Sequence, residues 1–185
     1  MNYDRDYSLL SVPPSTQDHI NGVLNAVIVL VLYGDYQSSQ SADVYRLLRV
    51  VQQQLSVSFR ANYACFIFRH FPQRQIHAHA QHAAEAAEAA AVQGQFWQMH
   101  DMLFTHSQEL GNGYLVEYAN RLGLDICQFL QDLSKQAHID RINQDIESGL
   151  ESGVTAAPAL FINGTRYRDR WNIEQLMSAI TAVSR

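Results

Sequence analysis

The chain has 185 residues, 47% of them hydrophobic and 17% charged, with a formal net charge of −5. That length suits one domain with a sizeable core, and the composition is that of a globular protein rather than a disordered one. The acidic balance excludes the broad basic surface that nucleic acid or an anionic membrane would select.

Residues 1–22 are polar and mixed in charge, stiffened by Pro13-Pro14, and lack the apolar core of a secretory leader. They read as an extended N-terminal arm, and the chain as a cytoplasmic protein. Ala26 to Tyr33 is continuously apolar and β-branched, the pattern of a strand covered on both faces, and too short to cross a bilayer. Gly34-Asp35 ends it. From Ser39 to about Leu55 the period turns helical, with Val44, Leu47, Leu48, Val51 and Leu55 on one face. Tyr63 to Arg69 is a second apolar strand, so the two strands should lie parallel, joined by a right-handed helical crossover.

A run of helices follows. His79 to Gln93 is alanine-rich and stops at Gly94, with Glu85 and Glu88 expected on its solvated side. Phe96 to His106 is aromatic. Its Phe96, Trp97, Met99, Met102, Leu103 and Phe104 are spaced as core rather than as a ligand box. Apolar faces at Leu115–Leu122, Ile126–Leu133 and Ile139–Leu150 predict three more helices. Two short strands then flank Asn163-Gly164, a strong hairpin signal, and a last amphipathic helix carries Ile173, Leu176, Met177 and Ile180.

Cys65 and Cys127 form no Cys-x-x-Cys or zinc-type spacing and read as buried, reduced thiols. Histidines 70, 77, 79, 82, 100 and 106 include a pair, His79 and His82, able to share a helix face. No tight cluster with cysteine or carboxylate is evident in the spacing, so they read as structural or surface residues and no metal is expected.

Three linked stretches resemble the bacterial DsbA family, in particular its cytoplasmic members similar to domains fused to sodium/proton antiporters. The first is Asp18-His19-Ile20-Asn21-Gly22 with Tyr33-Gly34-Asp35-Tyr36-Gln37. The second is Phe68-Arg69-His70-Phe71-Pro72, His77-Ala78-His79 and Phe96-Trp97-Gln98-Met99-His100-Asp101. The third is Gly153-Val154-Thr155-Ala156-Ala157-Pro158 with Phe161-Ile162-Asn163-Gly164. The resemblance implies an α/β thioredoxin fold, β-α-β then β-β-α, with an all-helical insertion between the second and third strands. The thioredoxin-fold domain is then 23–72 with 153–185, and the inserted helical subdomain 73–152.

Where the family carries Cys-x-x-Cys at the start of the first helix, this chain has Ser38-Ser39-Gln40-Ser41. Thiol–disulfide exchange needs one thiolate to attack and a second thiol to resolve. A serine hydroxyl can do neither, so a redox-inactive member of the oxidoreductase family is expected. Ser38 or Ser41 should cap the helix, with Asp43 near its positive end. By resemblance the Ala157–Pro158 bond is cis and faces the motif. Ser38, Ser39, Gln40, Ser41, Ala157 and Pro158 would then line a groove for a peptide, which could pair with the backbone of Ala157 as an added strand. Kappa-class glutathione transferases, in the same broader family, hold a thiolate with a serine at this place. Glutathione held by Ser38 is therefore the alternative, and a ligand-free interaction module the third reading.

Overall fold

A computed structural model describes residues 9–59 and 62–183. In chain order these form β1 (His19–Asn21), β2 (Ile28–Gly34), α1 (Ser39–Ser58), β3 (Ala64–His70), α2 (Ala80–Val92) and α3 (Phe96–Thr105). They continue with α4 (Asn112–Arg121), α5 (Ile126–Ser134), α6 (Ile139–Glu151), β4 (Ala159–Ile162), β5 (Thr165–Arg166) and α7 (Ile173–Val183). The strands make one sheet in the order β1-β3-β2-β4-β5.

The apolar runs sit at the centre of that sheet. β2 and β3 are parallel, with α1 as their crossover, and β4 adds antiparallel to β2. Alternate side chains serve opposite faces. Leu30, Leu32, Phe66 and Phe68 join the larger core with α1, α3 and α7, while Val31, Tyr33, Cys65, Ile67 and Phe161 form a second core on the other face. The thioredoxin plan with its helical insertion is the observed fold. Counting β1, the insertion falls between β3 and β4.

Asn163 and Gly164 both take positive φ, 48° and 80°, as a two-residue hairpin between β4 and β5 demands. The Asn163 side chain also accepts from Val29 N at 2.8 Å and donates to Val27 O at 3.1 Å, pinning the hairpin to the start of β2.

Of the segment expected as an arm, residues 1–8 lie outside the described residues. The rest is bound to the domain. Leu10 N donates to Gly164 O at 2.8 Å, Ser11 N to Ser152 Oγ at 3.0 Å, and β1 pairs antiparallel with β3. Buried Arg69 pairs with Asp18 at 2.7 Å and donates to Tyr33 Oη at 2.9 Å.

Two expectations need correction. Glu85 and Glu88 are buried, not solvated. α2 runs through the middle of the helical block against α3, α4, α5 and α6, and its alanines let those helices approach on every side. Glu85 accepts from Gln81 Nε2 at 2.7 Å. Cys65 is buried as expected, but Cys127 is exposed. In short α5 it is Phe129 that takes the buried position, and Cys127 falls away from it. Both thiols are free.

Candidate functional site

The site forms where the C-terminal end of β2 meets the first turn of α1. Ser38 is the N-cap: its backbone is extended, with φ −79° and ψ 117°, and its Oγ accepts from Ser41 N at 3.2 Å. Ser41, fully buried, accepts from Asp35 N through its own Oγ at 3.3 Å. The two hydroxyls thus tie the helix start to the strand end. Asp43 does not serve the cap; it pairs with Arg46 at 2.6 Å on the exposed face of α1.

Behind this turn lies a buried carboxylate that sequence reading treated only as a strand breaker. Asp35 accepts from Gln37 N, Gln73 N and His77 Nδ1, each at 2.8 Å. A carboxylate only accepts, so it fixes the proton of His77 on Nδ1. Asp35 therefore fastens the β3–α2 loop, which holds Gln73 and His77, to the entry of α1. Gln37 Oε1 adds a bond from His79 N at 2.7 Å. An acid one residue past a buried strand and just before a serine cap was the available signal.

The Ala157–Pro158 peptide bond is cis. Ala157 N donates to Gln73 Oε1 at 3.2 Å, so that loop also reaches the proline turn. Two clefts open here, sharing Gln40, Ala156 and Ala157. One, of about 550 Å³, lies between α1 and the proline turn and adds Val44, Pro158 and Trp171 to its walls. The other, of about 470 Å³, adds Ser38, Ser39, Gln73 and His77. Five of the six expected groove residues, Ser38, Ser39, Gln40, Ala157 and Pro158, line these clefts. Ser41 lines neither; it lies behind the turn. Cys65 and Cys127 also line neither cleft. Burial pushes the Cys65 thiol up to about 11, with the charge of Asp18 adding to the effect.

The other histidines have varied surroundings. His79 and His82 are exposed. His100 is fully buried among Tyr36, Tyr45, Phe68 and Phe104, and bonds Tyr36 Oη through Nδ1 at 2.8 Å. Burial first, then the neighbouring His70, His19 and Arg49, holds it well below the usual imidazole range.

His19 and His70 were not expected to meet a carboxylate, yet both reach Glu88 Oε1 through Nε2, at 2.7 and 2.8 Å. Among the described residues these three form a group whose donor atoms all lie within 4.8 Å of one another. Burial alone would raise the Glu88 carboxyl; the bonds from His19 and His70 outweigh it and hold the group well below the usual carboxylate range.

With this geometry in place, comparisons with known proteins bear on the site. A family model described as a DSBA-like thioredoxin domain matches residues 48–181. The chain is 37% identical over 167 residues to Na(+)/H(+) antiporter NhaA 3 of Salinispora tropica, covering 90% of this chain and 25% of that protein. It is 33% identical over 168 residues to the antiporter NhaA of Herminiimonas arsenicoxydans, covering 91% and 26%. The chain thus spans about a quarter of the length of these curated relatives. Among solved structures, oxidised BdbD from Bacillus subtilis superposes with a TM-score of 0.81 at 18% identity, over 96% of this chain and 98% of that one. A thioredoxin-like oxidoreductase from Silicibacter pomeroyi gives 0.76 at 20% identity, over 98% and 97%. At such identities the structures speak for the fold alone.

Proposed function

Because the chain belongs to the DSBA-like thioredoxin-domain family, an oxidoreductase family, we propose that it is a redox-silent member that binds an extended peptide without exchanging its disulfides. The observation that carries this reading is the pair of serine hydroxyls at the start of α1. Ser38 and Ser41 occupy the cap beside the Ala156–Pro158 turn, and both cysteines lie away from the clefts. Among the described residues no cysteine sulfur lines either cleft, where the exchange reaction would need one thiolate to attack and a second thiol to resolve.

A peptide suits the wider cleft. Pro158, Val44 and Trp171 offer apolar contact, and the backbone at Ala156–Ala157 offers strand-type pairing. Gln73 occupies the Ala157 N–H in the free protein, so a peptide carbonyl pairing there displaces the Gln73 amide. Glutathione is the second reading. It rests on Ser38 sharing the narrower cleft with Gln73 and His77: Ser38 Oγ accepts from Ser41 N and keeps its own proton to donate to a thiolate. Two unbridged cysteines accord with a reducing, cytoplasmic setting. Among the described residues no helix is long and apolar enough to cross a membrane. Ion transport belongs to the antiporter relatives as whole proteins and is not carried over to this region.

An amide chemical-shift titration of the full chain tests the reading, with a mixture of reduced, unstructured peptides in one arm and reduced glutathione in the other. Peptide-induced shifts at Gln40, Ala156 and Ala157, with peptide thiols unchanged, support the first reading. Shifts at Ser38 and Ser39 from glutathione alone transfer support to the second. Silence in both arms overturns ligand binding and leaves an interaction module.

A further inference from the structure

We propose that His19, His70 and Glu88 form a binding site for a divalent transition metal ion, with zinc as the best fit. Three separate elements bring these side chains together: the edge strand β1, the end of β3 and the middle of α2. Their donor atoms converge within 4.8 Å, and both imidazoles present Nε2 to the same carboxylate oxygen.

The donor set selects the ion. Two imidazoles and one carboxylate are the ligands zinc takes when a fourth position is left open, at about 2.0–2.2 Å. Calcium and magnesium prefer all-oxygen cages, and copper(I) prefers sulfur, which is absent from the group. Ligand atoms around tetrahedral zinc stand roughly 3.4 Å apart. The two nitrogen–oxygen separations, 2.7 and 2.8 Å, therefore open by about 0.6–0.7 Å as the ion takes the Nε2 lone pair of each imidazole, whose one ring proton then sits on Nδ1. One side of the site can give. His19 lies on an edge strand with its ring stacked on Phe96, centroids 3.4 Å apart and planes 5° apart, so it can slide without leaving its stack.

Access follows from burial. The His70 side chain is 1% exposed and Glu88 7%, whereas His19 is 15% exposed and marks the rim by which an ion enters and a water completes the shell. Metal here would staple the N-terminal strand and the helical block to the sheet. The site shares no residue with the serine clefts, so its occupancy is independent of the peptide reading.

The test uses tag-free full chain stripped with chelator, zinc chloride as titrant against a chromophoric competitor, and cobalt(II) as a spectroscopic stand-in. The proposal expects one zinc per chain, a zinc-dependent rise in melting temperature, and cobalt d–d bands of low-coordinate intensity without a sulfur charge-transfer band. His19→Gln and Glu88→Gln are each expected to weaken zinc by more than about 100-fold, beyond the roughly 10–100-fold cost of losing an outer partner. His19→Gln, at the rim, is the variant that keeps the core intact, and circular dichroism checks its fold. Absence of stoichiometric binding by the wild type overturns the proposal. So does binding that His19→Gln leaves unchanged, or a cobalt spectrum with thiolate character.

Discussion

Replacing Asp35 by alanine should cost this protein about 4 kcal/mol, the consequence of one 1% exposed carboxylate accepting three hydrogen bonds at 2.8 Å. Bonds to a charged acceptor contribute roughly 1.5–3 kcal/mol each, which would sum to more. Two effects trim the sum. His77 is 23% exposed and finds water when its partner is gone, and the substitution also removes the desolvation cost of a buried charge. Asp35→Asn keeps one accepting oxygen but turns an N–H of its own toward at least one donor, and should cost about half as much. Urea unfolding followed by tryptophan fluorescence reads both, with the midpoint moving and the slope unchanged. Amide exchange at Gln37 and Gln73 should speed up in the alanine variant well beyond its global loss of stability, because Asp35 is what fastens the two cleft walls together. A cost below about 1 kcal/mol for Asp35→Ala, within the range of an ordinary surface bond, would refute this account of the turn.

Two further outcomes are expected. Gly149→Ala gains up to about 1 kcal/mol of helix propensity, but its Cβ would sit 2.9 Å from Phe71 Cδ2 and 3.1 Å from Tyr33 Cδ1. Both rings are buried, so overpacking wins and the urea midpoint falls by the equivalent of about 1–2 kcal/mol. Cys65, raised from 9.0 to about 11, makes stability depend on alkaline pH. The unfolded chain releases its thiol proton first, so the Cys65 contribution is complete below pH 9 and drains away between 9 and about 11; Cys65→Ala should flatten that limb of the unfolding curve.

What could be read in the sequence is what depends on neighbours along the chain. The apolar runs from Ala26 to Tyr33 and from Tyr63 to Arg69 read as strands, and they hold the central strands Ile28–Gly34 and Ala64–His70. Asn163-Gly164 specified its turn locally, and the serine pair placed a cap at Ser38 or Ser41, which falls on Ser38. What stayed hidden depends on tertiary placement. β1 is a three-residue strand, too short to show alternation, and its pairing with β3 supplies all its evidence. Glu88 looked solvated because its partners His19 and His70 are 69 and 18 residues away. An alanine-rich helix carries no apolar stripe strong enough to show that it is covered all round. Asp35 gave a local hint as a strand breaker, but its grip on Gln73 and His77 spans a whole crossover.

Redox silence rests on the two hydroxyls at the tip of α1, and turnover of a dithiol substrate tests it. In an insulin-reduction assay driven by a small-molecule dithiol, the wild-type chain should not exceed the uncatalysed rate. Ser38→Cys combined with Ser41→Cys should exceed it, because the α1 N-terminus lowers the pKa of a thiol at position 38 toward the roughly 3.5–7.5 range of reactive cysteines. Catalysis by the wild type would contradict the central claim outright.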